Sequence, residues 1–393
     1  MGEELVALGG AFLAAGFLAR LGRRVGLPTI PFFMVAGIIF GPNTPGVALV
    51  EHPEDLELLA ALGLIMLLFH LGLEFSLSDL LAGGRKLLLV GAIYLTLNIG
   101  GGLLFGLALG WGNREALVIA GAVGISSSAI VTKLLIELRR LANVETRLIL
   151  GIIVVEDIFL ALYLAFLQPV IGDARGFAEE AAQFAAAAGF LLALAAVARW
   201  WARPVGRMIS TADDELLTIC FLGLAVLVAG LAEQIGVSAA IGAFMVGLIL
   251  AECTAAPRIE QLVLPIRDAF AAVFFFAFGL TIDPDDVGAV AGAVLAAVVL
   301  SFVLNMVAGL VAARLHGFGR RAAANVGLTI LGRGEFSLIL ATLAVGAGLD
   351  ARIGPFVALY VLVLAVVGPL LTTRSKWVAD RLPRRLAGAP AER

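Results

Sequence analysis

Thirteen apolar runs follow one another along nearly the whole of this chain, near residues 4–20, 29–48, 56–75, 87–110, 115–137, 147–168, 178–199, 215–234, 237–252, 263–282, 287–313, 322–348 and 353–372. Short charged or Pro/Gly-rich breaks separate them. A helix needs about 20 apolar residues to cross a bilayer, and with no water in the hydrocarbon the backbone must satisfy its own hydrogen bonds. So many runs of that length predict an all-α polytopic membrane protein with about 13 transmembrane helices. At 61% hydrophobic and 15% charged residues over 393 positions, with a mean hydropathy of +1.05, the chain is excluded from the soluble class.

Sorting the Lys and Arg residues onto alternating loops gives a lopsided result. Arg114, Arg175 and Arg352 fall on one side, Arg333 lies within a span, and the rest of the 27 fall on the other side. The positive-inside rule then predicts an outside N-terminus and a cytoplasmic C-terminus in the cell (inner) membrane. Trp111, Trp200, Trp201 and Trp377 all sit at predicted span ends, where an interfacial aromatic belt belongs. The start, Met1-Gly2-Glu3-Glu4, lacks the basic flank of a signal peptide, so the first span is expected to be retained. A net charge of −3 offers no field for nucleic acid, and the isolated Cys220 and Cys253 have neither disulfide nor metal-ligand spacing.

Two short motifs recur. Phe69-His-Leu-Gly-Leu-Glu and Phe276-Ala-Phe-Gly-Leu-Thr lie 207 residues apart, ending the third and tenth spans, and Phe33-Met34-Val35 returns as Phe244-Met245-Val246 in the second and ninth. Copies seven crossings apart run in opposite directions, as in the inverted-topology repeats of secondary transporters, whose site lies at the bilayer midplane. The repeats are expected at about 29–168 and 237–372, within a transmembrane domain 1–372 followed by a short cytoplasmic tail 373–393. The same offset sets Ser126-Ser127-Ser128, midway along the fifth span, against Gly332-Arg333-Gly334-Glu335, midway along the twelfth. Small polar residues at matched midspan places predict two discontinuous, crossing helices whose freed backbone groups face a polar cavity.

Between those breaks, the sixth span carries Glu156 and Asp157 at its centre. A carboxylate at that depth costs a few kcal/mol and needs a partner or a function. Neighbours on a helix point about 100° apart, so Asp157 is expected to face the cavity and Glu156 to flank it. Such a carboxyl exchanges a proton for a dehydrated monovalent cation, never holding both, and so couples two fluxes by competition. Hydroxyls of Ser127, Ser128 and Thr132 would complete an oxygen shell around Na⁺ or K⁺; no cofactor beyond the transported ions is implied. Each feature has a plainer reading: Glu156 and Asp157 as a pair answering Arg333, Arg333 and Glu335 as an ion pair or a balance for broken-helix dipoles, and the serines as packing contacts. His70 reads first as a hydrogen-bonded interior histidine rather than a pH sensor. Asn98 and Asn305 read as helix ties, and Glu74 and Asp79 as residues that attract or gate cations.

Taken together, His70-Leu-Gly-Leu-Glu74-Phe, Gly124-Ile-Ser-Ser-Ser-Ala-Ile-Val-Thr132-Lys133-Leu-Leu, Val154-Val-Glu-Asp-Ile and Gly332-Arg-Gly-Glu-Phe-Ser resemble the monovalent cation:proton antiporter-2 family of Kef-type and sodium/proton exchangers. The likeness runs from about residue 5 to 372 with the four motifs in order. The resemblance implies a thirteen-helix fold of two inverted repeats, a homodimer, and a mobile core that carries the ion by an elevator-like motion. It also makes Asp157 the ion-binding aspartate and Glu156 the position filled by Asp in electrogenic exchangers and by Gln or Asn in others. Many relatives carry a lysine nine residues before the Arg of an Ala-Arg-Leu stretch; here that place is Asn305, which leaves the partner of Glu156 open. Kef-type systems also continue into a nucleotide-binding domain, so a separate cytoplasmic regulatory subunit or domain is an expected partner beside ions and lipid.

The expected function is cation/proton exchange with Asp157 as obligatory carrier. A sodium-coupled solute symporter or channel-like pathway on the same scaffold is the transport alternative. An intramembrane aspartyl protease is remote, because that chemistry needs two aspartates on different helices facing one water, and these acids are neighbours on one helix.

Overall fold

The computed structural model describes residues 2–24, 29–44, 48–50, 52–74, 84–172, 189, 204–234, 239–251 and 253–382. Among these there are helices and turns and no strand. In chain order the helices are α1 (Gly2–Arg24), α2 (Ile30–Phe40), α3 (Glu57–Glu74, entered through a 3₁₀ turn at Pro53–Leu56), α4 (Gly84–Leu109), α5 (Asn113–Gly124), α6 (Ser128–Glu137), α7 (Thr146–Ile171) and α8 (Asp214–Gln234). They continue as α9 (Ala239–Ala251), α10 (Ala256–Leu280), α11 (Pro284–Leu315), α12 (Arg320–Thr329), α13 (Glu335–Gly346), α14 (Ile353–Thr373) and α15 (Ser375–Arg381). Among the described residues, six segments are long and apolar enough to cross a bilayer: Pro53–Glu74, Gly84–Leu109, Asp214–Gln234, Ala256–Leu280, Pro284–Leu315 and Ile353–Thr373. The chain is therefore a polytopic all-α membrane protein. The span expected at 178–199 lies outside the described residues, apart from Gly189.

Two local departures from the sequence reading have simple causes. The second span was expected to run to residue 48, but α2 stops at Phe40. Pro42 disfavours the α conformation of the residue before it, and Gly41 accordingly sits extended (φ −79°, ψ 168°). The chain then folds back so that the amides of Leu49 and Val50 reach the Phe40 carbonyl, both at 3.0 Å. The stretch expected as a tail also begins with a helix, α15, whose Ser375, Val378 and Ala379 are buried.

The contacts fall into two compact units. One holds residues 1–51, 78–158 and 278–393; the other holds 52–77 and 159–277. In the second unit, α3 crosses α9 at a pair of glycines: a Cβ on Gly72 would stand 2.1 Å from the Phe244 carbonyl oxygen, and one on Gly247 would stand 2.1 Å from that of Phe69. Only hydrogen fits there. In the first unit, Gly279 meets α2 the same way, its added Cβ 2.2 Å from the Met34 carbonyl oxygen and 3.0 Å from the Gly37 Cα. Without a hydrophobic force between helices in lipid, such small-residue crossings let backbones approach and carry much of the packing.

Candidate functional site

The first unit contains both interruptions. Residues 125–127 are non-helical between α5 and α6, and residues 330–334 separate α12 from α13. A helix end leaves its last four carbonyls without partners in the helix, and in a buried setting each must be answered. The ends of α5 are answered from the other break: Ser337 Oγ donates to the Ala122 carbonyl at 2.8 Å and Arg333 Nε to that of Val123 at 2.9 Å. Arg333 Nη1 also donates to the carbonyls of Ile330 (2.9 Å), Leu331 (3.2 Å) and Gly332 (3.4 Å) at the exit of α12. The favour is returned by the Ser127 amide, which donates to the Gly332 carbonyl at 3.0 Å. Ser127 Oγ caps α6 by accepting from the Ile130 amide at 3.3 Å and donates to Glu335 Oε2 at 2.7 Å. Gly334 has no room for a side chain here, since its Cβ would fall 2.7 Å from Ser127 Oγ. The two segments thus cross and close one another.

Arg333 is fully buried. Its guanidinium lies where two helix C-termini concentrate partial negative charge, and its bonds to their carbonyls are those that a balance of broken-helix dipoles requires.

The acids of α7 meet this crossing. Glu156, 1% exposed, accepts from the Ser126 amide at 3.2 Å and from the Ser126 hydroxyl. Asp157, the next residue around the helix, is partly exposed, as a turn of about 100° away from Glu156 requires. Ser126, whose role the sequence did not single out from its two neighbours, is therefore the serine that holds Glu156. Ser127 turns to Glu335, Ser128 is half-buried and Thr132 is exposed. The Lys133 side chain lies outside the described residues, as does Asp79.

A second missed group lies on α4 and α14. Tyr94 Oη donates to Asn305 Oδ1 at 2.8 Å, and the Tyr360 hydroxyl is 2.6 Å from Ser301 Oγ, all of them buried. Asn305 thus carries a neutral hydrogen-bonded ladder.

In the second unit, His70 is buried with Arg267 Nη1 3.0 Å from its Nδ1, and Glu74 Oε2 lies 3.6 Å from the same nitrogen. Ligand atoms of His70, Glu74 and Glu260 gather within 4.8 Å of one another. The guanidinium already against the imidazole opposes a metal cation there by charge repulsion, and His70 is the packed, bonded interior histidine.

Interrupted helices closed by a buried arginine, beside two acids in a hydrophobic helix, define an all-helical membrane protein with a charged interior. The chain belongs to the sodium/hydrogen exchanger family, whose transmembrane-domain profile matches residues 10–374. It is 40% identical over 375 residues to the K(+)/H(+) antiporter subunit KhtU of Bacillus subtilis, covering 94% of this chain and 93% of that one. It is 28% identical over 383 residues to the ammonium/H(+) antiporter subunit AmhT of Alkalihalophilus pseudofirmus, covering 96% and 95%. Among solved structures, the sodium proton antiporter MjNhaP1 of Methanocaldococcus jannaschii shares the fold, with a TM-score of 0.70 at 15% identity over 93% of this chain and 99% of that one.

Proposed function

We propose that this protein is a secondary antiporter that exchanges K⁺ or Na⁺ for H⁺, with Asp157 as the carrier. The observation that carries the reading is the meeting of Glu156 with the break between α5 and α6 through Ser126. Asp157, the next residue on α7, would then lie near the crossing, where carbonyl and hydroxyl oxygens already engaged in hydrogen bonds keep further lone pairs that can serve as hard ligands. The family's transported ions suit that donor set. One carboxylate serves a proton or a cation but not both, so proton entry is coupled to cation exit by competition for the same group.

The recurring Gly72/Gly247 and Gly279/Gly37 crossings and the matched interruptions support two inverted repeats at about 29–168 and 237–372 in a thirteen-span domain 1–372. The charge asymmetry of the loops supports an outside N-terminus, a cytoplasmic C-terminus and residence in the cell membrane. KhtU and AmhT are both named as subunits, which supports a separate regulatory partner; a homodimer rests on the family resemblance.

The test is purified protein in proteoliposomes with an entrapped pH dye. Outward K⁺ or Na⁺ gradients should acidify the lumen through the wild type and leave it unchanged through Asp157→Asn. Full exchange by a folded Asp157→Asn protein would end the assignment. Solute-dependent proton flux would point to the symporter reading.

A further inference from the structure

A cavity of about 690 Å³ lies between α1 and the start of α2. Three residues of α1 give it its charge: Arg20, Arg23 and Arg24 all line it. Each is exposed, and among the described residues none of the three makes an ion pair or a hydrogen bond. Spaced i, i+3 and i+4, they share one face of the helix, so three permanent positive charges gather at one mouth. The α2 side adds to them. Thr29, the residue before α2, lines the same space with a hydroxyl that caps nothing, and the first turn of α2 carries no acid. The positive end of that helix is therefore left open. Among the described residues no carboxylate lines the cavity. Arg23 and Arg24, in the last turn of α1, also balance the dipole of their own helix, but that role needs neither Arg20 nor an uncapped Thr29. The arrangement calls for an anion from outside the chain.

The rest of the lining decides which anion. Gly16 and Ala19 of α1 and Phe33 of α2 form an apolar wall. Gly16 lies about 12 Å along the helix axis from Arg24, inside the apolar run expected to span the bilayer near residues 4–20. A Cβ added to Gly16 meets nothing within 4 Å, so the space there is open. Leu13, Phe17 and Leu21 are exposed on α1, as on a helix that lipid wets. Arginines at headgroup depth above a wall of small apolar residues match the two parts of a phospholipid, phosphate and acyl chain; a free phosphate matches only the first.

We propose that the α1–α2 cavity binds an anionic phospholipid, with phosphate held by Arg20, Arg23, Arg24 and Thr29 and an acyl chain laid along Gly16 and Ala19. Forked guanidiniums take phosphate oxygens in pairs. Three of them exceed the needs of one phosphodiester, so a lipid with two phosphates binds more tightly than a lipid with one. The bound lipid braces α1, which packs chiefly against α2 and meets it closely at Gly22, where a Cβ would fall 2.0 Å from the Phe32 ring. The site is independent of the exchange reading above.

The experiment follows the unfolding temperature of the purified protein in neutral detergent. Dioleoyl phosphatidylcholine, dioleoyl phosphatidylglycerol, tetraoleoyl diphosphatidylglycerol or inorganic phosphate is added. The two anionic lipids should raise the temperature saturably, the diphosphatidyl lipid at the lower mole fraction, and the other two additions should not. Arg20→Gln, Arg23→Gln and Arg24→Gln should each raise the half-saturating mole fraction about fivefold, the worth of one basic residue against an anionic headgroup. Arg85→Gln with Lys86→Gln, at exposed positions starting α4, should leave it unchanged. Gly16→Leu fills the apolar end, where its Cβ meets no neighbour. It should keep the lipid-free unfolding temperature and lose the stabilisation by lipid, and it carries the test if the arginine variants do not fold. Equal stabilisation by inorganic phosphate would make this a soluble-anion site. Undiminished stabilisation of the triple arginine variant would make the effect a general coating by lipid. A change of oligomeric state in Gly16→Leu, read by light scattering, would make the face a contact between copies. Each of these three results overturns the proposal.

Discussion

Replacing Arg333 by methionine keeps the volume and removes the charge. Two of its bonds are short, Nε to Val123 and Nη1 to Ile330, both at 2.9 Å, while those to Leu331 and Gly332 are longer. The carbonyls stay behind when the guanidinium goes. Each buried acceptor left without a donor costs about 1–3 kcal/mol, so the two well-made bonds alone put the loss at about 2–6 kcal/mol. Removing a buried ion together with its partner can be neutral, but here a single partner leaves, and relief of the guanidinium's own desolvation offsets the loss only in part. Arg333→Lys restores a charge that reaches one carbonyl group well rather than two diverging ones, so it should recover about half the loss. Unfolding of the detergent-solubilised protein, followed by intrinsic Trp fluorescence, should rank wild type above Lys above Met. A methionine variant as stable as the wild type would refute the reasoning, because it would mean that water already satisfies these carbonyls.

Other outcomes follow from the same contacts. Ser126→Ala removes the hydroxyl that holds Glu156 and keeps the amide; a bond to a charged group is worth about 1.5–3 kcal/mol, so the unfolding midpoint should fall, and no change would show that the amide suffices. Gly72→Val drives a side chain into backbone 2.1 Å away, where overpacking costs at least the usual 1–3 kcal/mol or so; folded protein on size exclusion at wild-type yield would contradict the crossing. At the loop before α14, the Arg352 guanidinium pairs with Asp350 at 2.6 Å and holds its carboxyl below the ordinary range. A lowered folded value adds stability above the unfolded value near 3.9 that is lost as pH falls through the folded one. With Arg352 about half exposed, Asp350→Asn should cost only a little stability at pH 7 and progressively less as the pH falls through the lowered value of the folded carboxyl; a cost independent of pH would deny the ion pair.

Much of this was legible in the residues. Apolar runs mark the spans because lipid tolerates little else, and serines and glycines at matched midspan places mark the interruptions because a continuous helix has no use for them there. The assignment of individual side chains was less legible, for a geometric reason. Ser126, Ser127 and Ser128 read alike in the sequence, but residues 125–127 are not helical, so neighbouring side chains there leave the backbone in directions that no helical count gives. Ser126 therefore goes to Glu156 and Ser127 to Glu335. The partners of Arg333 are backbone carbonyls, which no sequence pattern names. Tyr94 was missed because a tyrosine in an apolar helix reads as interface or packing, and only its reach to Asn305 gives it a role.

The mutual closure of the two interruptions also sets a timetable. Val123 waits for Arg333 across 210 residues, and Ala122 waits for Ser337 across 215. At the usual pace of translation, about 5–20 residues per second, the first broken segment would enter the membrane roughly 10–40 seconds before its counterpart is made. Through that interval its bare carbonyls must borrow donors from water, lipid headgroups or the insertion machinery, so the nascent chain passes through a stage in which the first interruption is a wet defect in the bilayer.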